Sequence, residues 1–355
     1  MVNLLGMPKV AAKKIKAKKI TARKKITKRK APLNLKRFKK NPIIEPDAKN
    51  SWESKAAFNP GAVLKDGKIH LIYRAIGDND MSVFGYASSD DGLNIKERLD
   101  YPVYFHKKGA THLSFTNPIH YGSGGGGNGG CEDPRLTLID DKVYLLYTAF
   151  DGWGSLRIAL TSIGLGDFLD KKWRWKKPTL ISPPGEIHKN WVMFPEKING
   201  KFAILHSVSP EILIDYFDNL EEFDDNDYVK SYYGKSARRK SNWDNWIRGA
   251  AAPPIKTKYG WLLLYHAMDD RDPNRYKLGA MILDKKDPAK ILYRSKQPIL
   301  EPDEIYENQG FKAGVVYCCG AVVKDGQLFV YYGGADKVTC VAVADLESFL
   351  KKLHV

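Results

Sequence analysis

The chain has only four cysteines, no long apolar run, no convincing long helix, and no acidic residue in its first forty positions. Each absence narrows the reading. Cys131, Cys318, Cys319 and Cys340 show no Cys-x-x-Cys spacing and no paired histidines, so neither a zinc centre nor a disulfide framework is indicated, no metal is expected, and a reducing cytoplasm fits best. No apolar stretch approaches the roughly 18 residues of a membrane span, and no signal-peptide core with a cleavage site is evident. A soluble chain with no membrane partner is expected. The Gly-rich stretch Gly122 to Gly130 is followed by no Gly-Lys-Ser/Thr and opens no helical pattern, which excludes a nucleotide phosphate loop. It runs directly into Cys131-Glu132-Asp133, so we read it as a mobile loop over a pocket mouth.

The net charge of +16 resembles a nucleic-acid signature until it is located. Residues 1–40 carry 16 of the 57 Lys and Arg; the 41 that remain equal the 41 Asp and Glu. The basic excess therefore belongs to a tail, residues 1–40, with too few large apolar residues to offset the entropy of ordering, and the tail is expected to be disordered. A solvated extension and electrostatic contact with an anionic polymer such as nucleic acid are both open for it, and a transit peptide would be unusually Lys-rich. Residues 41–355 form the folded domain.

One pattern recurs five times: an apolar strand, a two-residue polar or Gly turn, and an apolar strand ending in an aromatic residue or His. The copies cover residues 61–73, 134–147, 195–206, 254–266 and 320–332, with turns at Asp66, Asp140, Asn199, Tyr259 and Asp325, at an irregular period of about 60 to 75 residues. Asp-Gly and Asn-Gly between β-formers are strong hairpin signals, because both central residues of a type I′ turn need positive φ. A third strand follows most hairpins, at 84–90, 156–161, 278–283 and 338–343, and an outer fourth is expected at 296–302. Its near copy at 40–46 stands where an N-terminal strand completes the last unit. Five units of four strands predict an all-β, five-bladed β-propeller, whose radial repetition protects sheet edges. The third unit, Ile212 to Asp227, is acidic and degenerate.

In such a ring the ends of the innermost strands converge. The polar residues there are Asn59, Arg74, Glu132, Asp133, Arg135, Glu196, His206, Arg248, His266 and Asp336. Buried-type strands ending in charges are costly unless those groups pair or face a polar ligand. Structural ion pairs are the bland account of each; their coincidence at equivalent repeat positions favours a site. Sugar chemistry suits it, since one carboxyl can protonate a glycosidic oxygen while a second carboxylate activates water or a bound anion attacks. Trp52, Trp153, Trp191, Trp243 and Trp246 offer stacking faces, although a Trp in a β protein is more often core.

At these residues the chain resembles glycoside hydrolase family 130, the β-mannoside phosphorylases and related β-mannosidases. The resemblance spans residue 40 to the C-terminus and rests on Phe58-Asn59-Pro60, Glu132-Asp133-Pro134-Arg135, Phe194-Pro195-Glu196-Lys197, Ala252-Pro253-Pro254-Ile255, Tyr265-His266, Leu292-Tyr293-Arg294 and Tyr332-Gly333-Gly334-Ala335-Asp336. It implies a five-bladed propeller, Asp133 as general acid acting through a substrate hydroxyl, and Asn59, Arg74, Glu132 and Asp336 as substrate-binding residues. It also implies inorganic phosphate as co-substrate, with no cofactor, held by Lys189, Arg248, His266 and Tyr276. Ser207 stands where the family usually has an Arg, a lost charge. The expected activity is inverting phosphorolysis of a β-mannoside oligosaccharide to α-mannose 1-phosphate. The alternatives are an inverting β-mannosidase with Glu196 or another carboxylate as base, and a non-catalytic sugar-binding or nucleic-acid-binding propeller. The sequence leaves linkage, acceptor sugar and oligomeric state open, a homo-oligomer included.

Overall fold

The computed structural model describes residues 35–106, 128–151, 155–221, 223, 227–231, 239 and 242–354. The basic segment before Leu35, most of the Gly-rich stretch and Trp153 lie outside these. What is described is nearly all strand. In chain order the strands are β1 (Lys36–Arg37), β2 (Ala56–Lys65), β3 (Lys68–Ile76), β4 (Met81–Ser89), β5 (Glu97–Arg98), β6 (Gly129–Ile139), β7 (Lys142–Phe150), β8 (Leu156–Gly164) and β9 (Thr179–Leu180). There follow β10 (Val192–Met193), β11 (Phe202–Ser207), β12 (Leu213–Phe217), β13 (Trp246–Ala250), β14 (Ile255–Thr257), β15 (Gly260–Asp269), β16 (Asp272–Leu283), β17 (Ile291–Arg294), β18 (Val316–Lys324), β19 (Gln327–Gly334) and β20 (Val338–Asp345). Two short helices, α1 (Leu165–Leu169) and α2 (Leu346–His354), sit beside the sheets.

The strands form five antiparallel sets: β2 to β5, β6 to β9, β10 to β12, β13 to β17, and β18 to β20 joined by β1. The first two sets touch through a short parallel pairing of Met81 and Ser82 with Gly129 and Gly130. The hairpin turns fall where the sequence places them. Asp66-Gly67, Asn199-Gly200 and Asp325-Gly326 each hold two consecutive positive φ values, the requirement that selects Gly second and tolerates Asp or Asn first. The third set is the smallest, in keeping with its degenerate sequence.

Five apolar clusters are each shared by two neighbouring sets, since a sheet buries both faces only by packing on another. Ile72 and Phe84 of the first set pack with Leu136 and Leu145 of the second; Leu146 and Leu160 of the second pack with Met193 and Ile204 of the third. Val192 and Leu205 pack with Leu263 and Met281 of the fourth, and Leu264 and Leu278 with Val316 and Val330 of the fifth. Finally Val322 and Tyr331 of the fifth pack with Leu71 and Tyr73 of the first. The order of cores returns to its start.

Two expectations need correction. Part of the segment assigned to the basic tail enters the sheet: Leu35 is buried and Lys36 and Arg37 pair with Val343 and Ala342, with Ile44 bridging Thr339 just beyond. An unpaired edge of β20 and a buried acid for Arg37 outweigh the local excess of charge. The outer strand of the fourth set is β17, earlier than 296–302, which meets β16 only through the Leu278–Leu300 bridge. Pro298 removes one donor of the segment expected to be strand.

A buried acid fastens three of the sets. The carboxylate of Glu53 accepts from Tyr73 Oη and Arg98 Nη2, both at 2.7 Å. Asp244 accepts from Tyr265 Oη at 2.8 Å with Arg294 at 3.6 Å, and Glu307 from Tyr332 Oη at 2.8 Å and Arg37 Nε at 2.7 Å. In each case the Tyr lies on the second hairpin strand, the Arg comes from the outer strand and the acid from a segment between strands. In the second set Tyr147 bonds Tyr104 and His106 instead. Glu53→Ala should strand Arg98 and the Tyr73 hydroxyl and cost about 3 kcal/mol, whereas Tyr73→Phe should cost about 1 kcal/mol; urea unfolding midpoints compare the two.

Candidate active site

The first strands of four sets each lose register at one place: β2 between Phe58 and Gly61, β6 between Glu132 and Arg135, β13 between Ile247 and Gly249, and β18 between Cys318 and Gly320. A bulge leaves its extra residue unpaired and re-aims the side chain. In β2 and β6 that residue is Asn59, at φ 49, and Asp133, at φ 54, each followed by a Pro that has no N–H to lose. These strands abut closely. A Cβ on Gly61 would lie 2.6 Å from Pro134 O, and one on Gly320 would lie 2.7 Å from Pro60 O, so glycine is what lets the bulges of three sets meet.

At the junction Asp133 is 3% exposed, and Asn59 Nδ2 donates to its Oδ1 at 2.8 Å. Arg74 Nη1 stands 3.5 Å from the same oxygen, while Arg74 Nη2 donates to Glu132 Oε1 at 3.0 Å. Lys189 Nζ closes the group on Glu132 Oε2 at 2.9 Å. Glu132 is thus held between two cations, and Asp133 is the carboxylate left beside them.

A second layer ties this group to the third, fourth and fifth sets. Arg135, fully enclosed, donates from Nη1 to Asp133 O at 2.8 Å, from Nη2 to Asn190 Oδ1 at 2.7 Å and from Nε to Ala251 O at 3.1 Å. Asn190, at φ 68, donates onward to Arg248 O at 2.8 Å and accepts from Tyr317 Oη. The Arg248 guanidinium lies 4.5 Å over the Trp246 ring. His266 stacks on Tyr317 with centroids 4.1 Å apart, and Tyr276 lies 5.4 Å from it.

Burial alone would push the Asp133 carboxyl up; Arg74, Lys189, Arg135 and the Asn59 hydrogen bond outweigh it and hold the group at about 2. Asp336, in the turn after β19 at φ 53, shows the opposite balance. Burial and then the charge of Asp133 push it up to about 6, against the pull of Lys312, Arg74 and Lys189. Burial, then Arg135, keeps His266 well below its ordinary value, so its ring is neutral. Its Nε2 accepts from the Cys318 N–H at 3.0 Å, which leaves the proton on Nδ1. That Nδ1–H, buried, has no hydrogen-bond partner among the described residues.

The structure therefore brings Asn59, Arg74, Glu132 and Asp133 into one hydrogen-bonded group with Lys189, and sets Asp336, Arg248, His266 and Tyr276 around it. Glu196 stands apart: its carboxylate is 45% exposed and pairs with Lys256. Ser207 turns its hydroxyl onto Ser209 O and Glu211 O, a local turn. His206 bonds Ser231 Oγ at 2.9 Å and packs on Trp191. Trp191 and Trp243 are core, and Trp52 stacks on Tyr73, so none of these three offers an open sugar platform. Sequence reasoning missed Asn190, which precedes an apolar run, and Tyr317, which lies within one. The one signal for Asn190 is its place directly after Lys189.

The family model for glycoside hydrolase family 130, described as beta-1,4-mannooligosaccharide phosphorylase, matches residues 23–354. The chain is 39% identical over 328 residues to a 1,2-beta-oligomannan phosphorylase of Thermoanaerobacter sp. (strain X514), covering 89% of this chain and 98% of the relative. It is 35% identical over 326 residues to a beta-1,2-mannobiose phosphorylase of the same organism, covering 88% and 98%. The solved beta-1,2-mannobiose phosphorylase of Listeria innocua, in its beta-1,2-mannobiose complex, superposes with a TM-score of 0.67 at 26% identity, covering 90% of this chain and 99% of that one. The chain belongs to glycoside hydrolase family 130 and is, like these relatives, an enzyme of the glycoside phosphorylase type.

Proposed function

We propose that this enzyme is an inverting β-mannoside phosphorylase built as a five-bladed β-propeller, with a β-1,2-linked mannoside as donor. The blades are the five strand sets, and the cycle of shared cores supports the count. The linkage rests on the two relatives at 39% and 35% identity, both named for β-1,2 substrates. The observation that carries phosphorolysis is the neutral His266, whose Nδ1–H has no partner among the described residues, set among Arg135, Arg248 and Asp133. A buried donor of this kind suits an oxyanion. Hydrolysis instead needs a second carboxylate as base; Glu132 is occupied by Arg74 and Lys189, and Glu196 faces solvent with Lys256.

Asp133 supplies the proton to the departing oxygen through a substrate hydroxyl, and phosphate near Lys189, Arg248, His266 and Tyr276 attacks C1 from the other face of the ring. The C1–O bond to the leaving sugar breaks as the C1–O bond to phosphate forms, giving α-mannose 1-phosphate. Asn59, Arg74 and Asp336 hold the mannosyl ring. The cations that keep Asp133 ionised also attract phosphate, and a dianion that takes up their field raises the Asp133 carboxyl toward the protonated state.

With β-1,2-mannobiose, disappearance of substrate should require phosphate and yield mannose 1-phosphate, faster than with β-1,4-mannobiose; equal rates with and without phosphate would replace phosphorolysis by hydrolysis. Asp133→Asn, which keeps the shape and loses the proton, should lower the initial rate about 10²–10⁴-fold. The folded value of Asp336, about 6, lies above its ordinary 3.8, so its contribution to stability is full at low pH and is lost as pH rises through that value. Asp336→Asn should therefore gain stability relative to the parent by roughly 2–3 kcal/mol between about pH 4 and about pH 7, read from urea unfolding across that range.

A further inference from the structure

Between β17 and β18 the chain makes a short 3-10 turn, Ile305–Glu307, and then runs beside the site along residues 308–314. This stretch is pinned along its length. The Lys312 N–H donates to Ala335 O at 3.1 Å, next to Asp336, and the Gly314 and Val315 N–H groups both donate to Glu307 O at 3.1 Å. Gly314 O accepts from the Tyr276 N–H at 2.7 Å. Gly310 passes so near that a Cβ there would lie 2.2 Å from Ala335 O, and Gly314 holds φ +76. Glu307 is fully buried on Arg37 and Tyr332. Lys312 thus stands on fixed backbone, with its side chain exposed at the rim.

Its ammonium lies 5.4 Å over the centroid of Tyr276, which in turn packs on His266. Its charge also reaches Asp336 on the sugar side. Among the described residues no carboxylate comes within ion-pair distance of it. A lysine held over an aromatic face, uncommitted to an acid, and one ring away from a buried unpartnered N–H is placed to meet an anion.

We propose that Lys312 is a further phosphate-binding residue of this enzyme, completing from the rim the donor set that His266 begins from below. The inference rests on the phosphorylase reading. No motif marks this lysine, because the segment between Glu307 and Val315 belongs to none of the repeated hairpins.

The test uses the full chain, inorganic phosphate as probe, and the variants Lys312→Gln and Lys312→Arg. Lys312→Gln should weaken phosphate about tenfold, both in its Kd by titration calorimetry and in its KM, and leave the KM for β-1,2-mannobiose within about twofold. Lys312→Arg, which keeps the charge, should recover most of the loss. An exposed side chain makes unfolding a small risk, and an unchanged melting midpoint verifies that. If Lys312→Gln binds phosphate as the parent does, or if the mannobiose KM rises instead, the inference is overturned while the parent's need for phosphate leaves the phosphorylase reading standing. If the parent itself neither binds nor needs phosphate, both fall together.

Discussion

Three of the residues that build the site, Asn59, Asp133 and Asp336, hold positive φ, a region that costs most L residues roughly 1–3 kcal/mol. Asn and Asp enter it most readily because a short polar side chain can bond locally. Asn59 does so against Asp133 itself, at 2.8 Å, so the two bulges stabilise one another across a strand boundary. The bulge turns each side chain out of the alternation that would bury it between sheets and directs it to the junction where first strands meet. Gly61 and Gly320 are the other half of that constraint, because any Cβ at either would drive the strands apart. Replacing the strained residues by ordinary β-formers would restore regular pairing and remove the site with the strain.

Once the bulges fix their positions, charge decides the roles. Two adjacent acids sit at the bulge of the same strand, yet Glu132 is gripped by Arg74 and Lys189 while Asp133 keeps a single close donor from Asn59 and a longer approach from Arg74. Glu132 is the structural counter-ion that lets an arginine at 1% exposure exist there at all. Arg135 has the matching role in the next layer outward, where three backbone or amide oxygens satisfy its donors without any carboxylate. A buried charge network of this kind is costly to assemble and intolerant of partial loss, which concentrates sensitivity to mutation in a handful of residues.

The hairpins were legible because their turns are local: Asp66-Gly67, Asn199-Gly200 and Asp325-Gly326 carry the positive φ in the residue types themselves. The convergence of Asn59, Arg74, Glu132 and Asp133 was legible for a related reason, since all directly flank the repeated hairpins, and the resemblance then implied roles for them. Asn190 and Tyr317 were not, because their partners lie far along the chain, 55 to 127 residues away. The same holds for the Tyr-acid-Arg fastenings. Each Tyr sits at a fixed place in the repeat, but Glu53, Asp244 and Glu307 come from loops of different length, so no spacing reveals them. Arg37 shows the limit most clearly: read along the sequence it is one more basic residue of a tail, and only the buried Glu307 makes it part of the fold.

That ion pair also links regions that local sequence keeps apart. Arg37 arrives with the strand that pairs with β20, and the acid it meets anchors the segment leading to Lys312, Ala335 and Asp336. The segment that completes the last sheet is therefore continuous, through one buried carboxylate and three backbone hydrogen bonds, with the rim of the site. Such coupling follows from the architecture. Glu307 accepts from the Arg37 side chain through its carboxylate and from the Gly314 and Val315 N–H groups through its backbone oxygen, so one residue serves both the sheet and the segment that carries Lys312. The residues that hold the fold together and those that shape the site are then two faces of the same few contacts.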